Sequence, residues 1–187
     1  LRAIHQQGYS LIITVDCGIS AIPEIVYGKE LGLDFVITDH HEPGIEIPDC
    51  EAIINPKIDN NEACFSELAG VGVAFKLIQA LAEQLGLDPA YPFDYLDLVS
   101  LGTIADVVPL VGENRIIVKN GLSILSQSAK EGIKALLEVA GVGEGQLTPN
   151  QVAFALAPRL NSAGRLASPL MALELILTKS PQKAREL

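Results

Sequence analysis

Hydrophobic positions in the first third of the chain come in short runs, and each run stops at a polar cluster. Leu11 to Val15 stops at Asp16, Phe35 to Ile37 at Thr38 and then Asp39-His40-His41, and Ala52 to Ile54 at Asn55-Pro56. Apolar runs of this length predict buried strands. Between the first two, Ile22, Ile25 and Val26 share a helical face, Pro23 sits in a first turn, and Gly32 marks a stop. Strand, helix and strand within about 30 residues predict a βαβ unit with parallel strands. The chain opens on LRAIHQQ, which reads as the tail of a helix, and stops within another, SPQKAREL, so both ends read as cut from a longer chain.

From residue 70 onward the spacing becomes helical. Ala74, Leu77, Ile78, Leu81 and Leu85 line one predicted face, closed by Gly86. The apolar stretch FDYLDLVSLGTIADVVPL runs to Asp106 and is broken by Pro109, and NRIIVKNGLSILSQ and KEGIKALLEVAG read as two more helices. Thr148-Pro149, Ser168-Pro169 and Ser180-Pro181 each read as a hydroxyl cap followed by proline in the first turn. The predicted organisation is therefore an α/β domain, a mostly parallel sheet flanked by helices, over residues 1–140. A glycine-rich linker follows at 141–147, then a helical connector and the start of a second domain at 148–187.

Composition narrows the class. Aromatics make up 5% of the 187 residues and Trp is absent, so the core is aliphatic, as suits an α/β layer fold. Net charge is −10, which argues against a polyanion partner held by bulk charge; any nucleic-acid site must be local. Cys17, Cys50 and Cys64 are few, odd in number and lack CxxC spacing, and read as free thiols in a reducing compartment. With no signal peptide and no apolar run of ~18 residues, the chain reads as soluble and cytoplasmic.

The chemistry concentrates at the run ends. Asp16 and Asp39 close successive parallel strands, the edge at which open α/β sheets bind ligands. Asp106 follows the apolar LGTIA in the same manner. Carboxylates together with imidazole suit a divalent metal such as Mn²⁺. His40 and His41 are adjacent, so one can bind metal while the other faces a substrate. Each acid taken singly also reads as a turn or cap residue, and the paired histidines as a solvent-facing loop; it is the joint pattern that points to a site. Gly70 to Phe75, GVGVAF, begins like GxGxxG but has Phe at the third glycine position, and Lys76 lacks the P-loop context. That segment reads as a tight turn opening a helix, or as a backbone amide site for phosphate. Arg159, Asn161 and Arg165 stand among the small residues Ser162-Ala163-Gly164, which fits either a helix end with surface arginines or a phosphate-binding segment.

VDCGIS, TDHH and GTIADVVPL resemble motifs of the DHH phosphoesterase superfamily. LAGVGVAFKL, IADVVPLVGENR and APRLNSAGRL resemble its RecJ branch, single-strand-specific 5′-to-3′ DNA exonucleases. The resemblance covers nearly the whole chain, with the motifs in the family's order. It implies two divalent ions, Mn²⁺ or Mg²⁺. Asp16 would bridge them, His40 and Asp106 would complete one shell, His41 would contact the scissile phosphate, and Asp39 would orient the pair. Arg159, Asn161 and Arg165 would approach the DNA backbone. The implied partners are single-stranded DNA and a single-strand-binding protein or helicase. The family's first motif, an acidic DxDxD cluster on the first strand, and its later domains lie outside this sequence, so the chain alone is expected to be inactive, with its first strand left as an open sheet edge. Ser162 and Leu166 replace the Ala and Met common in relatives. Two other readings remain: a DHH phosphatase for small substrates, and a non-catalytic replication scaffold.

Overall fold

The computed structural model describes residues 1–58, 65–142, 145–166 and 168–187, without the side chains of Arg165 and Leu166. Cys64 and two positions of the predicted linker, Gly143 and Glu144, lie outside the described residues. The chain divides into two compact units, Leu1–Tyr91 and Pro92–Leu187.

The first unit is α/β. Its elements are α1 (Arg2–Gln6), β1 (Leu11–Val15), α2 (Ile22–Glu30), β2 (Asp34–Thr38), β3 (Ala52–Ile54) and α3 (Gly70–Gln84). The strands form a parallel sheet in the order β1-β2-β3, as the βαβ pattern predicts. Register decides where the polar clusters go. Val15 pairs with Thr38, and Thr38 with Ile54. The next residue of each strand, Asp16, Asp39 and Asn55, therefore emerges along one edge. The ladder continues into these positions, since the Asp16 amide donates to Thr38 O at 2.9 Å and the Asp39 amide to Ile54 O at 3.1 Å. Ile25, Leu33, Phe35 and Ile37 form the core beneath, which fixes β2 and hence the DHH corner.

β1 is the open sheet edge expected, although its apolar run reads as buried: Leu11, Ile13 and Val15, alternate residues on one face, are each about half exposed. Two expectations about helix faces change. On α2, Val26 is exposed while Ile25 and Gly28 turn inward. On α3, the inward side is Gly70, Gly72, Val73, Phe75 and Ala82, and Leu81 and Leu85 of the predicted stripe are exposed. Glycines and Ala82 allow a closer approach than a stripe of leucines would, and close approach has won over hydrophobic periodicity.

The second unit is helical among its described residues. A 3-10 turn at Tyr91–Tyr95 leads into α4 (Leu96–Ala105), α5 (Gly112–Leu125), α6 (Glu131–Val139), the short α7 (Pro149–Gln151), a π turn (Val152–Leu156), α8 (Ala157–Leu166), α9 (Pro169–Leu177) and α10 (Pro181–Glu186). All three predicted hydroxyl caps form: Thr148 makes a capping box with Gln151, Ser168 accepts from the Leu170 amide, and Ser180 from the Lys183 amide. The predicted boundary at 141–147 falls inside this unit. Leu147 is buried with Ile133, Leu136 and Leu156, so the helices on both sides share one core. The stretch ending at Asp106 is the helix α4, so Asp106 does not follow a strand. Among the described residues, no helix is long and apolar enough to cross a membrane.

Candidate metal centre

At the carboxyl edge of the sheet, Asp16 adopts a left-handed backbone with φ 63°. Such a backbone is uncommon for a side-chain-bearing residue and is tolerated best by Asp, Asn and Gly. It turns the chain sharply off β1, helped by Gly18 at φ 118° and by a bond of 2.7 Å from Thr14 Oγ1 to Cys17 O. The Asp16 side chain stays 54% exposed, and its Oδ1 lies 3.1 Å from His40 Nε2. Asp16, His40 and His41 each place a ligand atom within 4.8 Å of the others, the one such group of three among the described residues. One hard oxygen and two imidazole nitrogens suit a first-row divalent ion.

Asp39 braces the group from below. It is 1% exposed and accepts four hydrogen bonds: from the Ile19 amide at 3.0 Å, the His40 and His41 amides at 2.8 and 3.2 Å, and His41 Nδ1 at 2.7 Å. Burial by itself would raise its carboxyl pKa. The donors from Ile19, His41 and His40 outweigh that and hold it below the ordinary carboxylate value. An ionised Asp39 can only accept, so His41 Nδ1 carries the hydrogen and Nε2 is the ring's acceptor nitrogen. The two rings tilt at 57° with centroids 4.6 Å apart, so they face different directions, as adjacent residues leaving a strand should.

Asn55 is a residue that the sequence reading missed. It is buried, its Nδ2 donates to His41 O at 2.9 Å, and its Oδ1 accepts from the Lys57 amide at 2.9 Å. It pins the chain just beyond the histidines. The signal was present: Asn55 follows the third strand as Asp16 and Asp39 follow the first two.

The other site residues belong to the second unit. Asp106 is exposed at the carboxyl end of α4. A carboxylate there is opposed by the helix dipole and is favoured by a nearby cation. It is followed by Val107 at φ 61°, an outlier for a β-branched residue. Arg159 and Asn161 are both exposed on α8, but two residues of helix put them on opposite sides. Arg159 Nη1 donates to Ala155 O in the π turn, so one of its donors serves the helix itself. The side chain of Arg165 lies outside the described residues.

The profile described as "DHH family, N-terminal domain" matches residues 2–103. The chain belongs to the DHH family. Asp16 and the Asp39-His40-His41 cluster lie within the matched DHH segment. The single-stranded-DNA-specific exonuclease RecJ of Bacillus subtilis is 48% identical over 186 residues, covering 100% of this chain and 23% of its own length. RecJ of Escherichia coli is 44% identical over 193 residues, covering 98% and 33%. A crystal structure of Thermus thermophilus RecJ in complex with Mn²⁺ superposes with a TM-score of 0.87 at 39% identity, over 98% of this chain and 27% of that one. A Mg²⁺ complex of the same protein gives 0.68 at 30% identity, over 99% and 31%. The DHH chain described here thus spans a quarter to a third of the relatives it matches.

Proposed function

We propose that this chain carries the metal centre of a RecJ-like exonuclease that hydrolyses phosphodiesters of single-stranded DNA from the 5′ end. The observation that carries the reading is the approach of Asp16 Oδ1 to His40 Nε2 at 3.1 Å, with His41 alongside and Asp39 locking both. The similarity to RecJ structures bound to Mn²⁺ and Mg²⁺ supports it.

In this reading Asp16, His40 and Asp106 would be ligands of a divalent-metal centre, with Asp16 serving both of its ions. Bound Mn²⁺ or Mg²⁺ would supply a water acidic enough to attack and would offset charge on the phosphoryl oxygens. Asp39 keeps His41 in one tautomer and one orientation, and His41 Nε2 faces the scissile phosphate. Asn55 holds the backbone of His41 so that this geometry survives substrate binding. Arg159, Asn161 and Arg165 meet the DNA backbone. A single-strand-binding protein or helicase would present the strand, in the cytoplasm.

The test is digestion of 5′-labelled and 3′-labelled single strands by the full-length protein, before and after chelation. Release of the 5′ label first, lost with chelator and restored by Mn²⁺, is the expected result. Chelator-resistant digestion, or activity confined to phosphomonoesters, would overturn the reading.

The DNA segment gives a separate prediction. Arg165→Ala in the full-length protein should weaken binding to all single-stranded sequences alike. The slope of log affinity against log salt should shrink by about 0.7, the value for one single-strand phosphate contact. An unchanged slope would leave Arg165 a structural residue.

A further inference from the structure

Gly70, the first residue of α3, has no conformational need to be glycine. Its φ is not positive, unlike those of Gly18, Gly32 and Gly86. Glycine is also a poor helix former, costing up to about 1 kcal/mol against alanine inside a helix. The reason for glycine is space. A Cβ built on Gly70 would lie 2.1 Å from Asp16 Oδ1, 2.6 Å from Asp16 Cγ and 2.7 Å from Asp16 Cβ.

The last distance decides the argument. Rotation about χ1 can carry Oδ1 and Cγ away, but it leaves Cβ where the backbone puts it. That backbone is pinned, at φ 63° and with its amide bonded to Thr38 O at 2.9 Å. No rotamer of Asp16 therefore makes room for a methyl group at position 70. By contrast, a Cβ on Gly72, two residues further on the same helix, would meet Leu68 Cδ2 at 3.1 Å, the far end of a side chain that can turn about its own bonds.

We infer that Gly70 is a positioning residue for the metal centre: the bare backbone of the first turn of α3 is the wall against which the Asp16 side chain is seated, and it sets where Oδ1 stands relative to His40 Nε2. This rests on the proposed function for its consequence, since a displaced Asp16 matters only if Asp16 is a ligand. The contact itself does not depend on that reading.

The experiment compares wild type, Gly70→Ala, Gly72→Ala, Asp16→Gly and the double variant Asp16→Gly/Gly70→Ala in the full-length protein. Mn²⁺ binding is read by calorimetry and local stability by hydrogen exchange of the amides of β1, β2 and α3. Gly70→Ala is expected to weaken Mn²⁺ binding by at least about tenfold, the low end for perturbing a group that orients a ligand. Gly72→Ala is expected to bind as wild type does. Protection of these amides should fall in Gly70→Ala, and that loss should vanish in the Asp16→Gly background, where both Cβ and carboxylate are gone. Wild-type Mn²⁺ affinity in Gly70→Ala, or an equal loss in Gly72→Ala, would overturn the inference. So would a stability loss that persists in the Asp16→Gly background. If Gly70→Ala does not fold, recovery of a folded double variant still supports the contact, and failure to recover overturns it. If wild type binds no Mn²⁺, the functional reading fails, while the stability comparison still reports on Gly70 and Asp16.

Discussion

His40→Ala in the full-length protein is expected to cut turnover on single-stranded DNA by on the order of 10³-fold, whereas Asp39→Asn should cost about 10- to 100-fold. The difference follows from where each side chain ends. His40 Nε2 stands 3.1 Å from the Asp16 carboxylate, so under the proposed function its loss would remove a ligand outright. A metal's stabilisation of transition-state charge is worth several kcal/mol, and each 1.36 kcal/mol is tenfold in rate. Asp39 is 1% exposed and, under the same proposal, would act on an ion only through the histidines it holds. Asparagine keeps its shape and one acceptor oxygen, but its NH₂ group must replace an oxygen that now accepts hydrogen bonds. With the charge gone, His41 loses its firm tautomer, and Nε2 is no longer held toward a ligand. The two variants also separate by metal titration. His40→Ala should lose Mn²⁺ affinity steeply and Asp39→Asn modestly, with partial rescue of the latter at high Mn²⁺. Equal losses in both, or a His40→Ala enzyme that turns over normally, would remove His40 from the ligand set.

Much of this site is legible in the sequence because parallel strands impose a simple rule. Once Leu11–Val15 and Asp34–Thr38 are read as neighbouring parallel strands, the residues after them must share an edge, and Asp16 meets the histidines there. The same rule applied to the third strand would have found Asn55. Asp106 was harder to place, because an apolar run of ten residues can be a strand or a buried helix; Leu96–Ala105 is helical, and its buried residues take up more than half of its circumference. The packing of α3 was illegible for a different reason. Its leucine stripe gives the stronger periodic signal, but Gly70 and Gly72 allow an approach that no stripe records. What glycine contributes is an absence of atoms, and only coordinates show which atoms fill the space. Three glycines within 141–147 read as a linker, a composition signal that says nothing of Leu147, which packs into one core with Ile133, Leu136 and Leu156.

The second large effect concerns α4, the helix that ends at Asp106. Its first turn is anchored by Asp97, which is 1% exposed. Lys130 Nζ donates to both carboxylate oxygens at 2.8 Å and to Asp94 O at 2.7 Å, and Ser128 Oγ donates to Oδ2 at 2.7 Å. Lys130 also lies over the Tyr95 ring at 5.8 Å. Removing one partner of such a pair leaves a buried charge, which typically costs about 3–5 kcal/mol. The Lys130 side chain is 28% exposed, and Ser128 and the Leu98 amide still serve Asp97, so about 3 kcal/mol is expected for Lys130→Met. Asp97→Leu/Lys130→Met should regain at least half of that, because replacing both charges removes the desolvation cost along with the attraction. Unfolding of a longer multidomain protein is not a single transition, so the measurement is hydrogen exchange of the amides of α4 to α6, which reports this unit directly. Mn²⁺ affinity at 25 °C should stay within about twofold of wild type. Asp97 and Lys130 serve the amino end of α4, and Asp106 lies at the other end of a helix ~15 Å long, so a population that remains folded keeps Asp106, a ligand only under the proposed function, in place. Faster exchange in Lys130→Met with unchanged Mn²⁺ binding would mark the pair as an anchor for the helix. A matching collapse of Mn²⁺ affinity in folded protein would instead mean that the position of Asp106 depends on strain transmitted along α4, with Val107 at its strained φ as the first place to look.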